Sequence, residues 1–177
     1  MTSARTFWCA LSATALLLTG ACMSDNGKNA PLPRLSKERA VQWAEQHASR
    51  MAEAAGVTLD KQKTKTFFNN CVGEHDEVAD DGRYTMDYAA YANVPTERHT
   101  DVVRRIRADF EKEKYRITGY REYEDDYNSA LVDAADDETG FTISAGSAGP
   151  AKKPSKLILF SVSTPCMIPP GVTQQPQ

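Results

Sequence analysis

The chain has 177 residues, 24 acidic against 21 basic side chains, a formal charge of −3 and 41% apolar residues. That length allows one domain with a sizeable hydrophobic core and leaves too little for two. A mildly acidic chain with no basic stripe argues against nucleic acid as a partner.

The first five residues (Met1-Thr2-Ser3-Ala4-Arg5) carry one basic side chain, and Thr6 to Leu18 carries no charge and is mostly apolar. That apolar run is about a dozen residues, short of the roughly 20 a bilayer-spanning helix needs. A charged start, a short apolar middle and a small-residue exit (Thr19-Gly20-Ala21) describe a secretory signal peptide over 1–21. With Cys22 directly behind it, this end resembles the signal of a bacterial lipoprotein, although Thr19 stands where leucine is usual and Leu18 lies one place further out. The resemblance implies cleavage before Cys22, acylation of its thiol with chains such as palmitate, and attachment to the outer face of the cell membrane. Two or more acyl chains hold a protein on a bilayer where one holds weakly. Thr19 and Ala21 also suit an ordinary secretory peptidase, which leaves plain secretion as the alternative without acylation.

Residues 22–35 are predicted as lipidated cysteine plus flexible tether, since Gly27, Pro31 and Pro33 interrupt a polar run. A single domain is placed at 36–168. Ser36 is a suitable N-cap, and Val41, Ala44, Ala48, Met51, Ala52 and Ala55 recur at helical spacing up to Gly56. Trp43 and His47 fall at the edge of that stripe. A short β segment is read at 66–73, followed by an acidic loop at 74–82 and a strand in which Tyr84, Met86, Tyr88, Ala90, Ala92 and Val94 alternate with mostly polar neighbours. Pro95 favours a second helix start, with Val102, Val103, Ile106 and Phe110 on one face and Gly119 at its exit. Four β segments then follow, at 120–124, 129–135, 140–145 and 156–164, with a hairpin turn at 136–140. Leu157-Ile158-Leu159-Phe160 reads as the most buried strand, 146–156 as a flexible connection, and 169–177 as a disordered tail. The order α-β-β-α-β-β-β-β predicts a two-layer α+β fold with two helices on one face of an antiparallel sheet.

Cys9 lies in the leader, so an exported chain retains Cys71 and Cys166 as a pair. Outside the cytoplasm, one structural disulfide is the simplest reading, because a redox or metal pair prefers close C-x-x-C spacing. Cys71-Val72-Gly73, Gly119-Tyr120 and Ser163-Thr164-Pro165-Cys166 together resemble the layout of small uncharacterised lipoproteins of high-GC Gram-positive bacteria. That resemblance implies a location and a fold, and no reaction.

No chemistry-bearing motif stands out. His47, His75 and His99 are far apart, so no zinc spacing exists, and neither G-x-S-x-G nor a phosphate-binding G-x-x-x-x-G-K occurs. The acidic runs at 74–81 and 122–126 do not match a calcium loop and read as solvated turns. Tyr84, Tyr88, Tyr91, Tyr120, Tyr123 and Tyr127 gather around the predicted strands, where an exposed subset could grip a glycan or a protein. The sequence therefore predicts no catalytic residue, cofactor or metal. It points to an anchored extracytoplasmic binding module with an envelope protein or glycan as partner. The rivals are a carboxylate-based envelope hydrolase or transferase, and a carrier of lipid or another apolar ligand.

Overall fold

The computed structural model describes residues 30–73, 76–149 and 155–175. Its elements are α1 (Lys37–Ala55), β1 (Leu59–Asn70), β2 (Tyr84–Asn93), a 3-10 turn (Thr96–Arg98), α2 (His99–Lys112), β3 (Arg116–Glu122), β4 (Ala130–Ala135), β5 (Thr142–Ser147) and β6 (Leu157–Ser163). The strands form one antiparallel sheet in the order β1-β2-β6-β5-β4-β3. With α1 over β2 and β6 and α2 over β4 and its neighbours, the fold is the two-layer α+β arrangement expected from the element order.

Helix α1 begins where the Ser36 side chain accepts a hydrogen bond from the Arg39 amide. It ends at Gly56, whose φ of 67° lets the Gly56 and Val57 amides close on the Glu53 and Ala52 carbonyls. Its buried stripe is nearly all small: Ala40, Ala44, Ala48, Ala52 and Ala55, with Met51 alone providing bulk. Helix α2 stops earlier than the sequence predicts, and strand structure starts at Arg116 rather than at Tyr120. Lys114 takes the left-handed conformation at φ 64°. The Lys114 and Tyr115 amides then return to the Glu111 and Phe110 carbonyls, and the rings of Phe110 and Tyr115 meet edge to face at 5.8 Å. A Schellman stop built on lysine lacks the glycine that normally marks one.

Because helices cover one face only, β2, β4, β5 and β6 bury residues mainly on alternate positions, while β3 at the margin has none fully buried. Ile158, Phe160 and Val162 are fully buried under the helices, while Leu157, Leu159, Ser161 and Ser163 turn to the open face half-exposed. The apolar run 157–160 is therefore not the uniformly buried strand the sequence suggested, since a strand's side chains alternate between faces.

Two further segments differ from the sequence reading. Strand β1 starts at Leu59, well before residue 66, and its register shifts between Asp60 and Lys65. Residues 61–64 thus bulge away from Ala90 while Asp60 accepts from the Gln62 amide. The tail and the end of the tether are tied down: Arg34 bridges Ile168, Leu35 and Ile168 amides bond across, and Gln174 joins the Leu32 amide and the Ala30 carbonyl. Residues 22–29 and 176–177 lie outside the described residues. The proline-rich composition of 169–175 could not reveal that the chain's other end lies alongside to take its hydrogen bonds.

The tail also covers an ion pair. Arg83 Nε donates to Asp81 at 2.7 Å, both side chains are nearly inaccessible, and Gln175 completes the arrangement with its carbonyl on Arg83 and its amide on Asp81. The Arg83 hydrogen bonds hold the Asp81 carboxyl far below the usual carboxylate range. A group depressed in this way adds stability above its unfolded value of about 3.9, and that stability is lost as pH falls below it. Asp81→Asn should therefore cost about 2 kcal/mol at neutral pH, less than the 3–5 kcal/mol of a deep pair because only one layer of chain covers it. Denaturant titrations should show the gap between variant and parent closing as pH falls through 4 towards 2.

Cys71 and Cys166 form a disulfide, with Cα atoms 5.8 Å apart and 95 residues of separation. It joins the chain just past β1 to the chain just past β6, as read from the sequence.

Candidate functional site

Beside the β1 bulge lies a broad cleft of about 730 Å³ between the C-terminal half of α1 and the lifted strand. Glu45, Ser49, Ala52 and Glu53 form the helix wall, Val57, Thr58 and Leu59 turn the corner, Lys61 and Thr64 form the strand wall, and Tyr88 lies at the base. Only 4% of Tyr88 is exposed, so the cleft floor is part of the core. Burial pushes its phenol pKa up, opposed by a hydrogen bond to Thr64. The walls divide by chemistry. Ala52, Val57, Leu59 and the Tyr88 ring supply an apolar bed, and Glu45, Ser49, Glu53 and Lys61 set a charged and hydroxylic rim. That combination suits an amphipathic ligand, with most of its surface against the bed and a few polar groups fixing orientation.

A smaller hollow of about 300 Å³ lies on the open sheet face among Thr118, Asp133, Thr142, Ser144, Ser161 and Ser163. Gly119 makes room for it: a Cβ there would stand 2.8 Å from Asp133 Oδ2. Burial raises the Asp133 pKa. No other carboxylate lines this hollow, so it lacks the paired acid and base that hydrolysis by carboxylates requires.

The nearest approach to nucleophilic geometry is His99 with Ser147, whose Nδ1 and Oγ are 3.0 Å apart. His99 is fully buried and its Nε2 donates to the Val94 carbonyl, so in the neutral ring Nδ1 accepts from the Ser147 hydroxyl. Ser147 Oγ also accepts from the Ala130 amide at 3.1 Å. These bonds tie the start of α2 to β5 and β4 and leave no hydroxyl facing a substrate. His47 is half-buried, stacked on Trp43 with ring centres 3.6 Å apart, and its Nδ1 lies 3.1 Å from the Tyr115 hydroxyl. Burial, then Arg50, lowers its pKa, which marks a packed boundary residue.

Glu74 and His75 lie outside the described residues, and the described residues of the two acidic runs do not line either hollow. Asp81 is committed to Arg83, Glu122 to Arg104, and Asp125 accepts from the Tyr127 and Ser129 amides of its own turn. Among the described residues no group of three His, Cys, Asp or Glu side chains could hold a metal ion. Tyr84 and Tyr88 are core residues, Tyr91, Tyr120 and Tyr127 are half-buried, and Tyr123 is exposed. Sequence reasoning missed the cleft because its lysine-rich strand wall carries no apolar period. Asp133 went unremarked because an isolated acid in a strand looks like any solvent-facing residue. Cys22 lies outside the described residues, and among those described no helix is long and apolar enough to cross a membrane. No protein-family model, curated protein or solved structure matches the chain.

Proposed function

We propose that the chain is a lipoprotein held on the outer face of the cell membrane through Cys22, and that its domain acts as a binding module with no reaction of its own. The α1/β1 cleft carries this reading: it combines a bed of core side chains with a charged and hydroxylic rim. Its ligand is an amphipathic envelope component whose apolar body lies over Val57, Leu59 and Tyr88 while polar groups meet Glu45, Ser49, Glu53 or Lys61. The side chains between sheet and helices form one hydrophobic core cluster, which favours the exposed cleft over the apolar-carrier reading as the receptor.

The experiment is mass spectrometry of the protein taken from its own membrane, under native and denaturing conditions. The denatured chain is expected to start at Cys22 with acyl groups added, and Cys22→Ala should lose both processing and acylation. The native spectrum should carry a non-covalent adduct that disappears in Ser49→Trp, whose indole fills the cleft from an exposed wall position. An unacylated parent chain would sink the anchor, and an adduct indifferent to Ser49→Trp would sink the cleft.

A further inference from the structure

Strand β1 forms one margin of the sheet, so among the described residues one side of its backbone has no strand neighbour. The Cys71 amide donates to Arg83 and its carbonyl accepts from Ala79, which turns Cys71 towards the β2 side. Alternation then directs the N–H and C=O groups of Thr66, Phe68 and Asn70 outward, with an unbroken register from Lys65 to Asn70. Native edges are normally protected by charge, proline or a bulge. The first half of β1 has such protection in Lys61, Lys63, Lys65 and the bulge, whereas Thr66-Phe67-Phe68-Asn69-Asn70 carries no charge, proline or bulge of its own, with Lys37 Nζ lying 5.1 Å from the Phe68 ring centre on the helix side. Exposed large apolar side chains gather at this end: Phe67 at 54% and Phe68 at 37%, with Val72 and Val78 just beyond.

We infer that the Thr66–Asn70 edge is a homodimer interface, in which β1 pairs antiparallel with β1 of a second copy about a two-fold axis through Phe68. In that register the outward groups of Phe68 face those of the other Phe68, and Thr66 faces Asn70, so all of these edge groups become paired. Phe67 of one copy lies beside Asn69 of the other and diagonal to its Phe67, and the two Phe68 rings meet on the helix side. Charge selects the same register. Continuing the antiparallel pairing carries the Lys61–Lys65 half of each strand past Cys71 towards the other copy's acidic loop, where Asp76 and Asp80 are exposed. A bilayer is the poorer occupant, because that loop would set acidic side chains against anionic headgroups.

The test is photo-crosslinking in washed membranes, with a benzophenone amino acid replacing Asn69. A covalent species of twice the mass of the chain as it occurs in the membrane is expected, with the crosslink mapped to residues 66–70 of the second copy. Its yield should fall severalfold when ~50 mM salt is raised to ~500 mM. Thr66→Pro removes only an outward N–H, which an edge strand tolerates, and should lower the yield about tenfold with little change in Tm. Should that variant melt early, the charge pairs serve instead: Lys61→Glu with Lys65→Glu should lower the yield, and adding Asp76→Lys with Asp80→Lys should restore it. Crosslinks to lipid or to another protein alone, no crosslink at all, or a dimer indifferent to both sets of variants would overturn the assignment.

Discussion

Opening the Cys71–Cys166 bridge is expected to destabilise the domain by about 4–5 kcal/mol, lowering Tm by about 10–15 °C. The figure follows from the sequence separation of 95 between the two cysteines, because a long closed loop removes much freedom from the unfolded chain. On the folded side little should change. The segment behind Cys166 is held by its own hydrogen bonds: Thr164 and Met86 exchange a pair, and Tyr84 and Met167 exchange another. Ile168 is buried and its amide reaches the Pro33 carbonyl. The reduced protein should therefore keep its secondary structure and melt earlier. Cys71→Ala with Cys166→Ala should reproduce reduction, measured by thermal and urea unfolding with and without reductant. A loss below about 1 kcal/mol would mean that the unfolded chain is already compact enough for the link to matter little.

What the sequence made legible follows from which elements carry their own signals. Helix α1 has a capping serine, a periodic alanine face and a terminal glycine, and β2 alternates cleanly because one of its faces is buried from Tyr84 to Ala92. The disulfide is legible from cysteine arithmetic once Cys9 and Cys22 are assigned to the expected signal peptide and lipid site. Strand β1 was half legible. Lys61, Gln62, Lys63 and Lys65 offer no apolar period, since this stretch faces solvent and the rim of the cleft rather than the core. The end of α2 was hidden because Lys114, not glycine, adopts the left-handed turn. The tail could be placed only by partners remote in sequence, Arg34, Asp81 and Arg83. The cleft is a consequence of a register shift, which depends on pairing between strands and leaves no mark in local composition.

Phe160→Ala is expected to cost about 4 kcal/mol, near the middle of the range for removing a buried aromatic ring. The surroundings explain why the loss should not be softened by relaxation. Phe160 sits on β6 between β2 and β5, in register with Ala90 on one side and Ala145 on the other. Above this sheet lies α1, whose buried face is mostly alanine. The bulk between α1 and the sheet thus comes largely from the sheet, and truncation would leave a cavity walled mainly by alanines. Phe160→Leu keeps most of that volume and should cost no more than about 1.5 kcal/mol. Leu159→Ala, one residue earlier, is the decisive contrast. Leu159 points to the open face and is half-exposed, so its loss should stay below about 1 kcal/mol. Urea midpoints of the three variants would measure how one-sided the sheet is in solution. If Leu159→Ala costs as much as Phe160→Ala, the open face is covered in the working protein, and the row around Leu159 and Tyr91 becomes an interface.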